Sequence, residues 1–361
     1  YTGYYAGGTF SSAERNSLSQ NNFTVENKSG ANTIDGITVH YTNTSFPTNF
    51  KLLSINYYDN YSFPGAPTSF PTIETQSVNT ALKGQLTGSW TRVLTTAAST
   101  AGNLSYNLYD NKYRVIRSYS GNHLGGYTQV DSQLNFTGTP SKTVTYQKQN
   151  SSATVLTITD IYTYDRRDRL TKQTQQIGTG TVETLVSNSY DPLGVLINKK
   201  VGNNINSPLQ DVDYTYNIRG WLTNLNSLHH DPFAIGQKNR LFNYSILYNS
   251  TLNGDTSKPQ YNGNISSIAW RTQSDNIVRG YGYDYDQLNR LNYASHLKVT
   301  VDFFFSNYNR DGQYAEDGAY DKNGNITTLQ RFGEEELGQP IKIDELTYSY
   351  NGNQLQSVTD H

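Results

Sequence analysis

A single seven-residue pattern recurs along the chain and constrains its fold more than any other feature. It reads YDNKYRV (109–115), YDRRDRL (164–170), YDPLGVL (190–196), YNIRGWL (216–222), YDQLNRL (285–291) and YDKNGNI (320–326). The openings are Tyr109-Asp110, Tyr164-Asp165, Tyr190-Asp191, Tyr216-Asn217, Tyr285-Asp286 and Tyr320-Asp321, and an apolar residue stands six positions after each Tyr. Position four after the Tyr is Asp168, Gly194, Gly220, Asn289 or Gly324 in five copies, and Tyr113 in the exception. Two shorter versions, YNGNI (Tyr261, Asn262) and YNGNQL (Tyr350, Asn351), reach the apolar residue through a tighter Asn-Gly turn.

Each position has a separate job in reversing a β-strand. Tyr ends the incoming strand and packs its ring inward, while its hydroxyl reaches solvent or a carbonyl. The Asp or Asn side chain bonds backbone amides two residues on and closes an Asx-turn, and Gly, Asn or Asp at position four tolerates positive φ. The apolar residue opens the outgoing strand. Between corners the sequence alternates with period two: Leu156, Ile158, Tyr162 and Tyr164 share a face opposite Thr157, Thr159 and Thr163, and Tyr281, Tyr283 and Tyr285 align in the same way. This predicts antiparallel hairpins with one buried and one wet face. Helical periodicity is scarce, and only residues 11–18 and 78–86 leave room for a short helix.

The Tyr anchors fall 24 to 55 residues apart. A β-propeller would repeat more evenly at ~40–45 residues, whereas the shorter intervals suit one hairpin per unit. A lone hairpin is marginal in water, so many must stack to share a core. The expected fold is all-β, with antiparallel β-hairpin repeats stacked into a long curled sheet. Residues 102–361 carry the repeat. Residues 1–101 fit it poorly, because Tyr58-Asp59 is followed by Pro64 at position six, and they read as a β-rich N-terminal region continuous with, or leading into, the rest.

Composition excludes several classes. The chain has no Cys, which removes disulfides, zinc–thiolate sites, iron–sulfur clusters and Cys nucleophiles. With 28 Lys and Arg against 30 Asp and Glu, the net charge of −2 lends no support to binding nucleic acid or an anionic membrane. The strongest apolar run, Phe303-Phe304-Phe305, is too short to span a bilayer. The opening residues, YTGYYAGGTF, lack the regions of a signal peptide, so the chain reads as cut from something longer, or processed.

Candidate chemistry is thin. His229, His230 and Asp231 supply metal-ligand types, but adjacent strand residues point to opposite faces and no third ligand is signalled. The run 321–325 partly imitates a calcium loop, yet Phe332 stands where the bidentate Glu belongs. Asp284 and Asp286 resemble a glycosidase pair, although Asp286 fills the Asx slot of a corner. Glu334, Glu335 and Glu336 read as a solvated loop. No catalytic, cofactor-binding or metal-ligating residue is assigned, and no cofactor is called for. The 30 Tyr suit the wall of a β structure, or, as the alternative, stacking on sugars by a cell-surface adhesin or glycan-binding β-repeat protein.

The motif Y-D-x-x-G/N-x-L, here YDPLGVL, YDQLNRL and YDKNGNI, resembles the Rhs/YD repeat of bacterial polymorphic toxins, the Tc toxin C component and animal teneurins. YTYNIRGWLTNL (214–225) is especially similar to exported bacterial Rhs proteins. The resemblance implies a hollow β-shell, or cocoon, enclosing a C-terminal toxin or effector domain, with the rest of the same polypeptide and secretion machinery as partners and a secreted or bacterial cell-surface location. One departure is clear. The family's core motif is built around two DPxG elements, and only Asp191-Pro192-Leu193-Gly194 has that form here, so no cleavage residue is carried over. The resemblance implies a non-enzymatic role for this segment.

Overall fold

The computed structural model describes residues 2–5, 11–13, 16, 26–44, 50–96, 98–226, 240–252, 255–301, 306–310, 312–334 and 339–361. The elements named among them are 24 β-strands. Two compact units, Tyr1–Leu185 and Val186–His361, divide the chain.

The first unit contains β1 (Thr2–Tyr5), β2 (Lys28–Ile34), β3 (Ile37–Tyr41), β4 (Phe50–Tyr58), β5 (Leu86–Arg92) and β6 (Gly102–Tyr109). It continues with β7 (Val115–Gly121), β8 (Tyr127–Leu134), β9 (Pro140–Lys148), β10 (Leu156–Tyr164) and β11 (Leu170–Ile177). β1 pairs with β4, and from β4 to β11 every strand pairs antiparallel with the next. β2 and β3 form a separate hairpin. Its turn, Asp35-Gly36, takes φ of 51° and 75°, the two left-handed residues that a tight hairpin needs. Ile34, Ile37 and Val39 of that hairpin cover Phe50, Leu52, Ile55, Tyr57 and Phe63 in the largest apolar cluster. Asp35 also accepts a 2.8 Å bond from Lys51 Nζ and pairs with the buried Arg92 guanidinium. Burial alone would raise the Asp35 pKa, but these cations and the Leu52 amide outweigh it and hold the carboxyl below 3.8.

The boundary between units falls inside β12 (Glu183–Tyr190). The second unit continues through β13 (Leu196–Val201), β14 (Gln210–Tyr216), β15 (Leu222–Leu225), β16 (Phe242–Leu247), β17 (Ser267–Thr272) and β18 (Val278–Tyr285). β19 (Leu291–Val301), β20 (Ser306–Arg310), β21 (Glu316–Tyr320), β22 (Ile326–Glu334), β23 (Pro340–Asn351) and β24 (Gln354–Asp360) complete it. Neighbours again pair antiparallel in chain order, except that β19 pairs with β20 near one end and β21 near the other.

Strand ends fall where the repeat predicts. β6, β10, β12, β14, β18 and β21 each stop at the Tyr of a full copy, and β7, β11, β13, β15, β19 and β22 each start at its position-six residue. Two expectations differ. Residues 78–86 form no helix: they run as loop into β5, with Asn79 bridging Tyr109. The face expected to be apolar is also partly polar. Asp160, between Ile158 and Tyr162, is 8% exposed, whereas Leu156 is 44% exposed. Gln173 and Gln175 each donate 3.1 Å bonds to Asp160, and Arg117 donates two 2.6 Å bonds to the buried Asp131 opposite it. Cross-strand hydrogen bonds thus stabilise part of that face in place of apolar contact.

Between β16 and β17 a long loop folds over the second unit's sheet. Asp255 Oδ2 accepts bonds from Ser257 Oγ at 2.7 Å and Ser267 Oγ at 2.5 Å, all three residues being buried. Gly282 pairs with Ser267, and a Cβ there would sit 2.5 Å from Ser257 Oγ and 2.6 Å from Asp255 Oδ1. Gly282→Ala should therefore destabilise by about 1–3 kcal/mol in denaturant unfolding. Gly318→Ala, whose Cβ would meet Leu329 Cδ1 and Thr328 O at ordinary contact distance, both 3.8 Å, is the control. That variant should be neutral or stabilising by up to ~1 kcal/mol, and equal losses in both would refute the close packing.

Candidate functional site

The tyrosine-led corners share one construction. In the first, the Asp110 amide donates to the Arg114 carbonyl (2.9 Å) and the Tyr113 amide to the Asp110 carbonyl (3.0 Å). Asp110 Oδ1 accepts the amides of Lys112 (2.8 Å) and Arg114 (2.9 Å). Asp165, Asn217, Asp286 and Asp321 repeat this, each accepting amides two and four residues on at 2.8–3.0 Å. Asp191 differs slightly: its Oδ1 takes the amides of Gly194 (2.7 Å) and Val195 (2.8 Å), three and four residues on. One side-chain oxygen therefore satisfies two amides at the bend, which would otherwise lack a strand partner.

Position four is left-handed in every full copy: Tyr113 at φ 61°, Asp168 at 57°, Gly194 at 102°, Gly220 at 78°, Asn289 at 63° and Gly324 at 92°. The apparent exception in the sequence is thus no exception in backbone conformation. Each opening Tyr pairs with its position-six residue across a register break, as in Tyr109↔Val115 and Tyr285↔Leu291. The left-handed residue and the bulge arise together.

Position five adds a second bond. Arg114, Arg169 and Arg290 each direct Nε to the other oxygen of their own Asp at 2.8, 2.7 and 2.6 Å, and Asn325 Nδ2 does the same to Asp321 at 2.8 Å. The Arg169 hydrogen bond, with amide donors, lowers Asp165 to about 2. Asp286 is lowered chiefly by the Arg290 amide, and Asp321 by the Asn325 side chain. For Asp110, burial opposes the shift, but Arg114 and the turn amides prevail and keep it below 3.8.

The corners are also bonded to one another along the edge. Tyrosine hydroxyls donate to the carbonyl that closes a neighbouring corner: Tyr109 to Leu86 (2.6 Å), Tyr164 to Pro140 (2.8 Å), Tyr285 to Ile265 (2.8 Å) and Tyr320 to Leu291 (2.7 Å). Burial raises the pKa of Tyr109, Tyr164 and Tyr285, so these hydroxyls remain donors. In the second unit a second series runs beside the first. Arg219 donates to Tyr261 O (3.0 Å), Asn262 to Asn289 Oδ1 (2.6 Å), Arg290 to Asp321 O (2.7 Å) and Asn325 to Asn353 Oδ1 (3.2 Å). The result, in each unit taken by itself, is a rail of hydrogen bonds along one edge of its sheet.

Several corners escaped the sequence pattern. Tyr58-Asp59 is one after all. Tyr58 pairs with Leu86 across a register break, the Asp59 amide donates to Gln85 O (3.0 Å), and Asp59 Oδ1 accepts the Gly84 amide (2.6 Å). Residues 60–83 are an insertion in this corner, so its closing residue is Leu86 and not Pro64. The insertion reaches across the sheet through Gln76 to Ser132 O (2.7 Å) and Glu74 to Lys142 (2.8 Å). Leu134-Asn135 and Gly121-Asn122 head further corners without Tyr, with Gly138 and Gly125 left-handed. Their signal was Asn followed by Gly three residues later. Tyr261, by contrast, ends no strand: it is 70% exposed in the loop before β17, and Tyr248 takes the inward place, donating to Leu222 O (3.1 Å). Tyr350 stands one residue before the end of β23 and pairs with Leu355, while Gly352, after Asn351, has φ of 61°.

Other candidate chemistry dissolves into the corners. Both Asp286 and Asp321 engage both carboxylate oxygens in their own turns, as the corner construction requires. His229, His230, Asp231, Glu335 and Glu336 lie outside the described residues. Among the described residues, no group of three or more His, Asp or Glu is placed to hold a metal, and no helix is long and apolar enough to cross a membrane.

No family model matches this chain, and no curated protein does. Among solved structures it is similar to the crystal structure of TcdB2-TccC3-Cdc42, at 14% identity and a TM-score of 0.48, covering 80% of this chain and 14% of that one. It is similar to the Photorhabdus luminescens Tc holotoxin pore at 14% identity and a TM-score of 0.37, covering 79% and 15%. The crystal structure of TcdB2-TccC3 follows at 13% identity and a TM-score of 0.32, covering 88% and 19%. The chain thus spans less than a fifth of the length of each of these chains.

Two outcomes follow for the corners. Tyr113→Asn places a residue tolerant of positive φ at the one bulky position four, and should stabilise by about 0.5–1 kcal/mol, read as a raised denaturation midpoint; a lowered midpoint would refute strain there. The Asp165 pKa of about 2 lies below its ordinary 3.8. Its contribution to stability is therefore complete above the unfolded value and is lost as pH falls through the folded one. Carboxyl NMR should place the Asp165 midpoint near 2, and a midpoint at the ordinary value would refute the Arg169 bond.

Proposed function

We propose that this chain is a structural wall segment of an Rhs/YD-repeat β-shell in a large exported bacterial protein, and that the shell encloses and delivers a C-terminal toxin or effector domain. The observation that carries this reading is the corner rail. Each full corner holds its own turn, and within each unit corners are bonded to neighbours on the same edge. A long sheet stitched along its edge suits containment, because paired strands present few free backbone groups to proteases or other chains. The mixed polar face around Asp131 and Asp160 suits a wall that meets water or cargo better than one that meets a second apolar layer.

The proposed role is non-enzymatic, and the location that goes with it is secreted or cell-surface. The glycan-binding alternative asks for exposed tyrosine faces. The opening tyrosines of the six full corners are half-buried or buried, and Tyr109, Tyr164, Tyr285 and Tyr320 already donate their hydroxyls to carbonyls. The test is protease protection in the full-length polypeptide. A domain C-terminal to this chain should resist digestion until denaturant melts the sheet, and should become cleavable at the same denaturant concentration. Equal cleavage with the sheet intact would overturn containment.

A further inference from the structure

The whole-chain charge balance conceals a segregation at the corner tips. In the four full corners of the second unit, positions two and three hold three aliphatic residues, Leu193, Ile218 and Leu288, two cations, Arg219 and Lys322, and no carboxylate. The aliphatic side chains are 88%, 104% and 65% exposed. The corner acids do not offset the cations outward, because Asp191, Asp286 and Asp321 are turned back onto their own amides. The first unit shows the same bias independently. Lys112, Phe136, Arg166 and Arg167 occupy positions two or three of its corners, again with no carboxylate. There Lys112 Nζ lies 3.9 Å from the centre of the Phe136 ring.

We infer that the corner edge of the second unit is a docking surface for an anionic lipid bilayer, with Leu193, Ile218 and Leu288 as apolar prongs and Arg219 and Lys322 as headgroup contacts. The corners of Leu193 and Ile218 stand two strands apart, roughly 10 Å, and those of Ile218 and Leu288 four strands apart, roughly 20 Å. The prongs are therefore separate and do not merge into the contiguous patch with a packed centre that a protein partner recognises. A bilayer needs no matching pockets. Each side chain enters the boundary between headgroups and acyl chains on its own, and cations between the prongs are drawn to anionic lipid. The bilayer is touched at its surface and not crossed. This inference does not depend on enclosure of a cargo.

The experiment is co-sedimentation of the 361-residue chain with vesicles of phosphatidylcholine alone or enriched in phosphatidylserine. The wild type should bind the phosphatidylserine vesicles at least about tenfold more tightly, and high salt should weaken that binding. The variant L193S/I218S/L288S, altered only at exposed tips, should keep its circular dichroism spectrum and lose about tenfold or more in binding. Lys322→Glu should weaken binding to phosphatidylserine vesicles and leave any residual binding to phosphatidylcholine unchanged. The inference is overturned if the wild type ignores anionic vesicles or if the folded triple variant binds as well as the wild type. It is equally overturned if sedimentation velocity shows the wild type self-associating through these tips, with the triple variant monomeric, since the edge would then face another copy.

Discussion

A β-strand cannot reverse without leaving amides at the bend that no neighbouring strand reaches, and the rest of this structure depends on how that deficit is met. One Asp or Asn oxygen takes two of those amides, a left-handed residue turns the chain, and the returning strand starts two residues later. The charged form is preferred because its hydrogen bonds are the stronger ones, which is why Asp110, Asp165, Asp286 and Asp321 all have lowered pKa values. Asn217 shows that the geometry alone suffices without the charge.

Because closure depends on the two ends of the corner, its middle is open to insertion. Between Tyr58 and Leu86 the chain makes a long excursion, yet the bond from Asp59 to Gln85 O and the register break survive. Between Tyr248 and Ser266 it makes another, and the Gln260 amide still returns to Tyr248 O (2.6 Å). Insertion here costs mainly loop entropy, which grows slowly with length. Both excursions lie back on the sheet, one burying Ile73 against Leu108 and Ile116, the other placing Asp255 over Gly282. These excursions thus cover parts of the sheet, as the β2–β3 hairpin does in the first unit.

The sequence was most legible where backbone chemistry is local. Tyr, Asx and the residue at position six marked strand ends to the residue in six corners, because each role is filled within seven positions. It was least legible where a partner lies far along the chain. Pro64 stood where a closing residue was expected because the true one, Leu86, lies beyond an insertion. Tyr261 matched the motif but lost the inward place to Tyr248, a choice made by the β16–β17 pairing and not by the local string. Period-two reading likewise found the faces but not their polarity: Asp160 is buried because Gln173 and Gln175, one strand away, complete its hydrogen bonds.

The rail explains why the opening residue is Tyr when Phe would fill the same space. A hydroxyl at the ring's end reaches the carbonyl that closes a neighbouring corner, a bond that Phe could not make. Tyr109, Tyr164, Tyr285 and Tyr320 therefore satisfy acceptors belonging to other repeats, and Arg114, Arg290 and Asn325 at position five satisfy acceptors on the other side. A repeat taken alone would keep its Asx-turn but lose both bonds. Stability in such an array is a sum of local and nearest-neighbour terms, and here the neighbour terms sit at the edge, outside the strand ladder. The sheet is consequently held in two places at once, by its ladders and by its hem, and a single polar layer can stay ordered where an apolar core is thin.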